Sequence, residues 1–271
     1  MPMKANPPDK IPRRVVVILG PGGSNRNLVN SVLPLLGTDK SIEMQGVFLE
    51  EAELRHAADL PFVKELCRVT FSVREFDSAQ FDRVLALRMR TAQRALSVLA
   101  QRAGVAHSFR NVRGSAVRLL LETAEQADVM VFEPVRNMAA AMSSRPFRTQ
   151  TAPQIVVALS DLESGSGALV AAAHLASGDM LRVSVLLTPS VASDRTGVDT
   201  LLRTYLPARP AHVRVTREFG VHSLIDSAQA EDAAILVLAA SQEFMQPEAL
   251  QVLRQRLRCP VCLVRHWGDE G

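Results

Sequence analysis

GSAVRLLLETAEQADVMVFE (residues 114–133) aligns without a gap on GVHSLIDSAQAEDAAILVLA (residues 220–239). Gly114 matches Gly220, Ala124 matches Ala230, Glu125 matches Glu231, Ala127 matches Ala233 and Val131 matches Val237. Each copy has the pattern of a glycine, an amphipathic helix and a buried strand. Internal repetition has to be settled before fold or function, because a missed repeat mis-assigns the architecture. Here it places two similar α/β units in one polypeptide.

Working outward, RVVVIL (residues 14–19) is a short, continuous, Val-rich run. That pattern suits a strand buried on both faces, as in a parallel sheet. The turn Gly20-Pro21-Gly22-Gly23 follows, then a helix over about 25–36 and a second strand over 44–49. Residues 50–76 are expected to be mostly loop with one short helix. Asp77 or Ser78 caps a long helix that Gly104 stops. Phe81, Val84, Leu85, Ala92, Leu96 and Leu99 are expected on its apolar stripe. A weak strand over 105–112, the first repeat helix and a strand over 129–132 complete the first unit, with a short helix and linker over 136–151. The second unit runs from a strand at 155–159 through a helix at 167–176, a strand at 181–187, a short helix at 198–205 and a strand at 212–217. The second repeat helix, a strand at 235–239, a helix at 247–257 and a strand at 261–265 end it. Strands alternating with helices imply right-handed crossovers and a mostly parallel sheet covered on both faces. The expected division is a loose polar tail over 1–12, a first domain over 13–150 and a second over 151–271.

The chain has 271 residues, 47% of them apolar and 22% charged, as in ordinary globular proteins. Aromatic residues are only 4%, so Val, Leu, Ile and Ala must build the core. The net charge of +3 comes with no recognisable nucleic-acid-binding motif. No apolar run is long enough to span a bilayer, and the start lacks the apolar stretch of a secretory signal. Three cysteines make no disulfide framework. The expected location is cytoplasmic.

Both units resemble universal stress protein domains. The resemblance is carried by IVVALSDLESGSGAL (residues 155–169), by the second repeat segment and by CPVCLVR (residues 259–265), in that order; the first unit contributes RRVVVIL and the first repeat segment. It covers about residues 13–265. It implies two tandem flavodoxin-like (Rossmann-like layered) units, and self-association through the final strand. Nucleotide-binding members of the family place an Asp at the end of the first strand and a glycine-rich phosphate cradle after the fourth. Here the first position is Gly20 in one unit and Ser160 in the other, with Asp161 displaced by one. The cradle begins Glu133-Pro134 in the first unit and Ala239-Ala240 in the second. A carboxylate repels a triphosphate, and Pro134 lacks an N–H. The resemblance therefore implies that the usual ATP site is lost twice. A further departure is a missing strand: only one apolar run, residues 155–159, is available where the first unit should end and the second begin. Assigned to the second unit, it leaves the first without its edge strand, to be covered by the other half or by a partner. This omission weighs against an intrachain pairing of halves and leaves a dimer of chains open.

Each candidate site has two readings. Gly20, Gly22, Gly23 and Ser24 can bind an anion or nucleotide through backbone N–H groups, or form a tight turn capped by Ser24 or Asn25. Ser160, Asp161, Ser164 and Ser166 can hold a ribose or phosphate, or serve capping and turn chemistry. Cys259 and Cys262 have redox-motif spacing but enter a strand, which points them to opposite faces. Glu50, Glu51 and Glu53 are carboxylates without a nucleophile, expected in a solvated loop. The arginines of the long helix are expected on a solvated face, and the six histidines have no metal-ligand spacing. The expected function is that of a non-enzymatic stress-response or regulatory protein that binds partners and holds no cofactor. The alternative is an adenine-nucleotide-binding protein, with ATP or AMP at a non-standard glycine loop.

Overall fold

The computed structural model describes residues 13–23, 25–37, 41–66, 70–135, 154–177, 182–207 and 212–267. The expected tail over 1–12 and the helix and linker over 136–151 lie outside the described residues. The first half contains β1 (Arg13–Leu19), α1 (Asn25–Ser31), α2 (Leu33–Leu36), β2 (Ile42–Glu51), α3 (Ala52–Ala58), β3 (Lys64–Leu66), β4 (Val73–Glu75), α4 (Ser78–Ala103), β5 (Ala106–Gly114), α5 (Ala116–Ala124) and β6 (Val129–Phe132). The second contains β7 (Gln154–Leu159), α6 (Leu162–Ala176), β8 (Arg182–Leu187), α7 (Pro189–Ser193), α8 (Arg195–Tyr205), β9 (His212–Val215), α9 (Val221–Ala230), β10 (Ala233–Ala239), α10 (Pro247–Arg256) and β11 (Val261–Val264).

Nine strands form one sheet in the order β5-β2-β1-β6-β11-β10-β7-β8-β9. Neighbours run parallel within each half, and β11 pairs antiparallel with β6. The last strand of the second half thus covers the edge of β6, the first of the two covers expected from the sequence. Val261, Cys262, Leu263 and Val264 stand opposite Phe132, Val131, Met130 and Val129. Contrary to expectation, the missing strand does not weigh against pairing of the halves within the chain: it leaves β6 open to a strand of the same chain. Asp128 closes the junction. Its Oδ2 accepts from the Arg14 N–H at 2.6 Å, and its carbonyl accepts from the Arg265 N–H at 2.8 Å.

Side chains alternate across the sheet, and both faces are buried. Val15, Val17 and Leu19 face the layer of α1, α2, α4, α6, α7 and α8. Val16 and Ile18 face α5, α9 and α10. Each of these apolar clusters draws on both halves, so the core is continuous across the junction. On one side α10 packs against both α5 and α9, and on the other α2 meets α6.

The long helix α4 has the expected ends. Asp77 accepts from the Gln80 N–H at 3.0 Å, and Gly104 adopts the left-handed conformation that ends helices. Its buried stripe is Leu85, Ala92, Leu96 and Leu99, whereas Val84 is 43% exposed. Val84 sits a 100° step from Leu85, enough to turn it off the buried face. Residues 25–36 do not form one helix: it breaks at Val32, and Pro34 falls in the first turn of α2, where its missing N–H costs nothing. Residues 50–76 hold α3 and a two-stranded hairpin in place of a mostly irregular loop. Helix α6 starts at Leu162 because Asp161 caps it.

Leu263 is 1% exposed in β11. Leu263→Ala is expected to cost about 2–5 kcal/mol, the range for leucine truncation in a packed core, measured by urea unfolding. A loss below about 1 kcal/mol would contradict the packing described for the junction.

Candidate functional site

Strand β1 lies between β2 and β6. The connections flanking it run over opposite faces: α1 belongs to one layer and α5 to the other. Such a reversal opens a crevice at the carboxyl ends of the strands, where sheets of this kind take ligands. The second half repeats the arrangement at β7, between β8 and β10. Because β6 and β11 are antiparallel, the two crevices face opposite ends of the sheet. The Gly20 loop and the Ser160-Asp161 turn are therefore not brought together.

In the first crevice the loop is held by the chain itself. The Gly20 N–H donates to Asn25 Oδ1 at 3.2 Å, and the Gly20 carbonyl accepts from Asn25 Nδ2 at 3.0 Å. Asn25 thus closes the loop on Gly20. The Arg88 guanidinium donates to the Pro21 carbonyl. Ser24 lies outside the described residues. Gly20 and Gly22 have open space where a side chain would start, but a Cβ on Gly23 would stand 2.3 Å from Glu133 Oε2. The carboxylate that follows β6 thus rests against the glycine loop. Two unit charges 4 Å apart near a protein surface repel by on the order of 4 kcal/mol, so a phosphate at this loop would have to displace Glu133. The described backbone just beyond β6 offers no free donor at Pro134 or Val135. Pro134 has no N–H, and the Val135 N–H donates to the Arg254 carbonyl at 2.7 Å.

The second crevice has the same shortage by other means. Asp161 Oδ1 accepts from the Ser164 N–H at 2.7 Å, and Oδ2 accepts from the hydroxyls of Ser164 and Ser160. Ser166 donates to the Glu163 carbonyl at 2.8 Å. Burial alone would raise the Asp161 pKa. The hydrogen bonds from Ser164, Ser160 and the Glu163 backbone together outweigh it and hold the group below its ordinary value. Beyond β10, the Ala240 N–H donates to Val264 at 2.7 Å and the Ser241 N–H to Ala239 at 2.8 Å. No carboxylate follows β10: Ala239 and Ala240 stand there, and the Ser241 hydroxyl is buried without a hydrogen-bond partner.

The remaining candidates have structural partners. Glu50 is buried at the end of β2, with Arg113 Nη2 2.9 Å and Arg55 Nε 3.5 Å from its Oε1. Glu51 pairs with Arg254 at 2.5 Å, a contact between the halves. These two are therefore not in a solvated loop; the short sequence signal hid that β2 runs on to Glu51 and brings them to arginines far away in the chain. Glu53 is exposed on α3. Cys259 and Cys262 are free thiols in opposite apolar layers, and burial pushes both up to about 12, so neither is a thiolate at neutral pH. Among the described residues no cluster of His, Cys, Asp and Glu can hold a metal. His222 Nδ1 accepts from Arg256 at 2.7 Å on the surface. Asp128 and Arg254 were not read as important from the sequence. Each acts on a group remote in the fold or through a main-chain bond, which leaves no local motif.

No protein-family model and no curated protein matches this chain. Solved structures do. The likeness is to universal stress proteins. One from Archaeoglobus fulgidus DSM 4304 is 11% identical, covers 94% of this chain and 97% of its own, and has a TM-score of 0.47. One from Pseudomonas aeruginosa UCBPP-PA14 is 14% identical, with 93% of each chain covered and a TM-score of 0.46. A universal stress protein in complex with cAMP matches 43% of this chain and 98% of its own at 15% identity, with a TM-score of 0.33. At these identities and TM-scores the likeness carries neither a site nor a role to this chain. No helix among the described residues is long and apolar enough to cross a membrane.

Two outcomes test the site geometry. Asp161→Ala removes a helix cap and is expected to cost about 0.5–2 kcal/mol at neutral pH. Because the folded-state pKa of Asp161 is depressed, its contribution is present above the ordinary aspartate range and is lost as pH falls through the folded value. The gap between wild type and variant in thermal unfolding should therefore close in acid; a gap that widens would contradict the cap. Gly23→Ala should cost less stability in a Glu133→Ala background than alone, with a coupling of about 0.5–3 kcal/mol as for residues in contact. Strict additivity would place Glu133 elsewhere.

Proposed function

We propose that this chain is a non-enzymatic regulatory protein of the stress-response type, acting through partner binding, whose crevices no longer serve as standard nucleotide sites. The observation that carries the reading is the occupation of both crevices by the chain's own groups. Glu133 lies against Gly23, and Asp161 takes the N-terminal donors of α6. Among the described residues that follow the fourth strands, Pro134 has no N–H, and the N–H groups of Val135, Ala240 and Ser241 donate to carbonyls of the chain. A phosphate-binding loop works by presenting free N–H groups to the anion, and few remain. No nucleophile paired with a base lies among the candidate residues, which supports a role without catalysis.

A second reading has its own observation. In the second crevice Ala239 and Ala240 leave the space beside Asp161 without a blocking carboxylate, and the Ser241 hydroxyl is buried without a partner. An adenine nucleotide held there by hydroxyls rather than by a glycine cradle is the alternative. One solved universal stress protein similar to this chain carries cAMP, and another carries dAMP.

Isothermal titration of the full chain with ATP, ADP and AMP separates the readings. The first expects no binding at micromolar ligand. Micromolar binding that survives bulky replacements at Gly22, Gly23 and Ser24, but is lost in Asp161→Ala, would establish the second.

A further inference from the structure

The outer face of α4 carries exposed aliphatic side chains and, beside them, arginines without a carboxylate partner among the described residues. Val84, Leu87 and Val98 are 43%, 60% and 42% exposed. They lie on the solvent side of a helix whose Leu85, Ala92, Leu96 and Leu99 are already buried against the sheet. At 100° per residue Leu87 and Val98, eleven residues apart, share an azimuth to within about 20°, and Val84 lies about 60° from Leu87. Arg83, Arg90 and Arg94 line the far side of Leu87 from Val84. Among the described residues none of these three arginines has a carboxylate partner; Arg83 and Arg90 donate only to carbonyls of their own helix. The single acidic residue of α4, Asp82, is engaged by Arg55.

We propose that this face docks an acidic amphipathic helix of a partner protein. A 26-residue helix offers a straight, preformed ridge, the complement of a helix laid along it. Leucine or valine on the partner would cover Val84, Leu87 and Val98, and its flanking carboxylates would meet the arginines bidentately. A two-fold contact of α4 on α4 between copies of the chain is a poorer match, because it would set these arginines against each other. A bilayer surface is a poorer match, since the stripe has no aromatic anchor. A nucleic acid is a poorer match as well, since it offers nothing to cover Leu87 at the centre. The proposal deepens the partner-binding reading and rests on it, but uses none of the crevice residues.

The test uses the full chain and a fluorescein-labelled synthetic peptide with Leu and Glu in helical heptads. Controls are a scrambled peptide of equal composition, phosphatidylserine vesicles and a short DNA duplex. The heptad peptide is expected to bind by anisotropy and the scrambled one to bind about tenfold more weakly. Leu87→Glu and the double change Arg90→Glu, Arg94→Glu should each weaken the heptad peptide by about tenfold or more, with unchanged circular dichroism and melting temperature. Binding that ignores the scramble or the variants overturns the proposal, as does a preference for vesicles or duplex lost in the same variants. Nucleotide titration of the same samples reports separately: absent peptide binding with absent nucleotide binding removes this surface alone, whereas nucleotide binding removes the regulatory reading beneath it.

Discussion

The antiparallel pairing of β11 with β6 is the contact on which the architecture depends. A parallel sheet that stops at β6 leaves a row of unpaired main-chain groups beside apolar side chains, an edge prone to pairing with other chains. Among the described residues the first half adds no fifth strand to the sheet, and β11 covers that edge from the other side. Four residues of pairing convert two open sheets into one of nine strands. Asp128 fixes the register at one end of the junction through Arg14 and Arg265. At the other end Arg254 carries both the Val135 hydrogen bond and the Glu51 ion pair.

The same pairing shapes the crevices. It turns the halves head to tail, so each crevice must be complete by itself. The first is bordered by α10 from the second half, whose Arg254 carbonyl takes the N–H of Val135. A donor that would otherwise face a ligand is thus spent on holding the halves together. In the second crevice the Ala240 N–H is taken by Val264 of β11, a bond within that half.

Much of the fold was legible because buried parallel strands announce themselves. RVVVIL, QIVVAL and AAILVLA can be satisfied only by apolar cover on both faces, and Asp77 and Gly104 mark the limits of α4 to the residue. The pairing partner of β11 was not legible, since four apolar residues specify a strand without specifying its neighbour. Of the sites, the obstruction by Glu133 and Pro134 was readable from residue chemistry alone. The burial of Glu50 was not, because its shorter ion pair is with Arg113 of β5, a strand brought beside β2 only by the sheet. Val84 was misplaced on the buried stripe because a Val beside a buried Leu satisfies a loose apolar pattern; only the sheet's position tells which of the two faces inward.

Native-state hydrogen exchange on the Val261→Ala variant tests the central claim most directly. Val261 is fully buried in β11 and pairs with β6, whereas β1 makes no sheet contact with it. If one sheet and one core unite the halves, amides of β1 and of β7 lose protection together and by the same free energy. Loss confined to β7, β8 and β10, with β1 and β2 as protected as in the wild type, would show two independently stable halves and contradict the account.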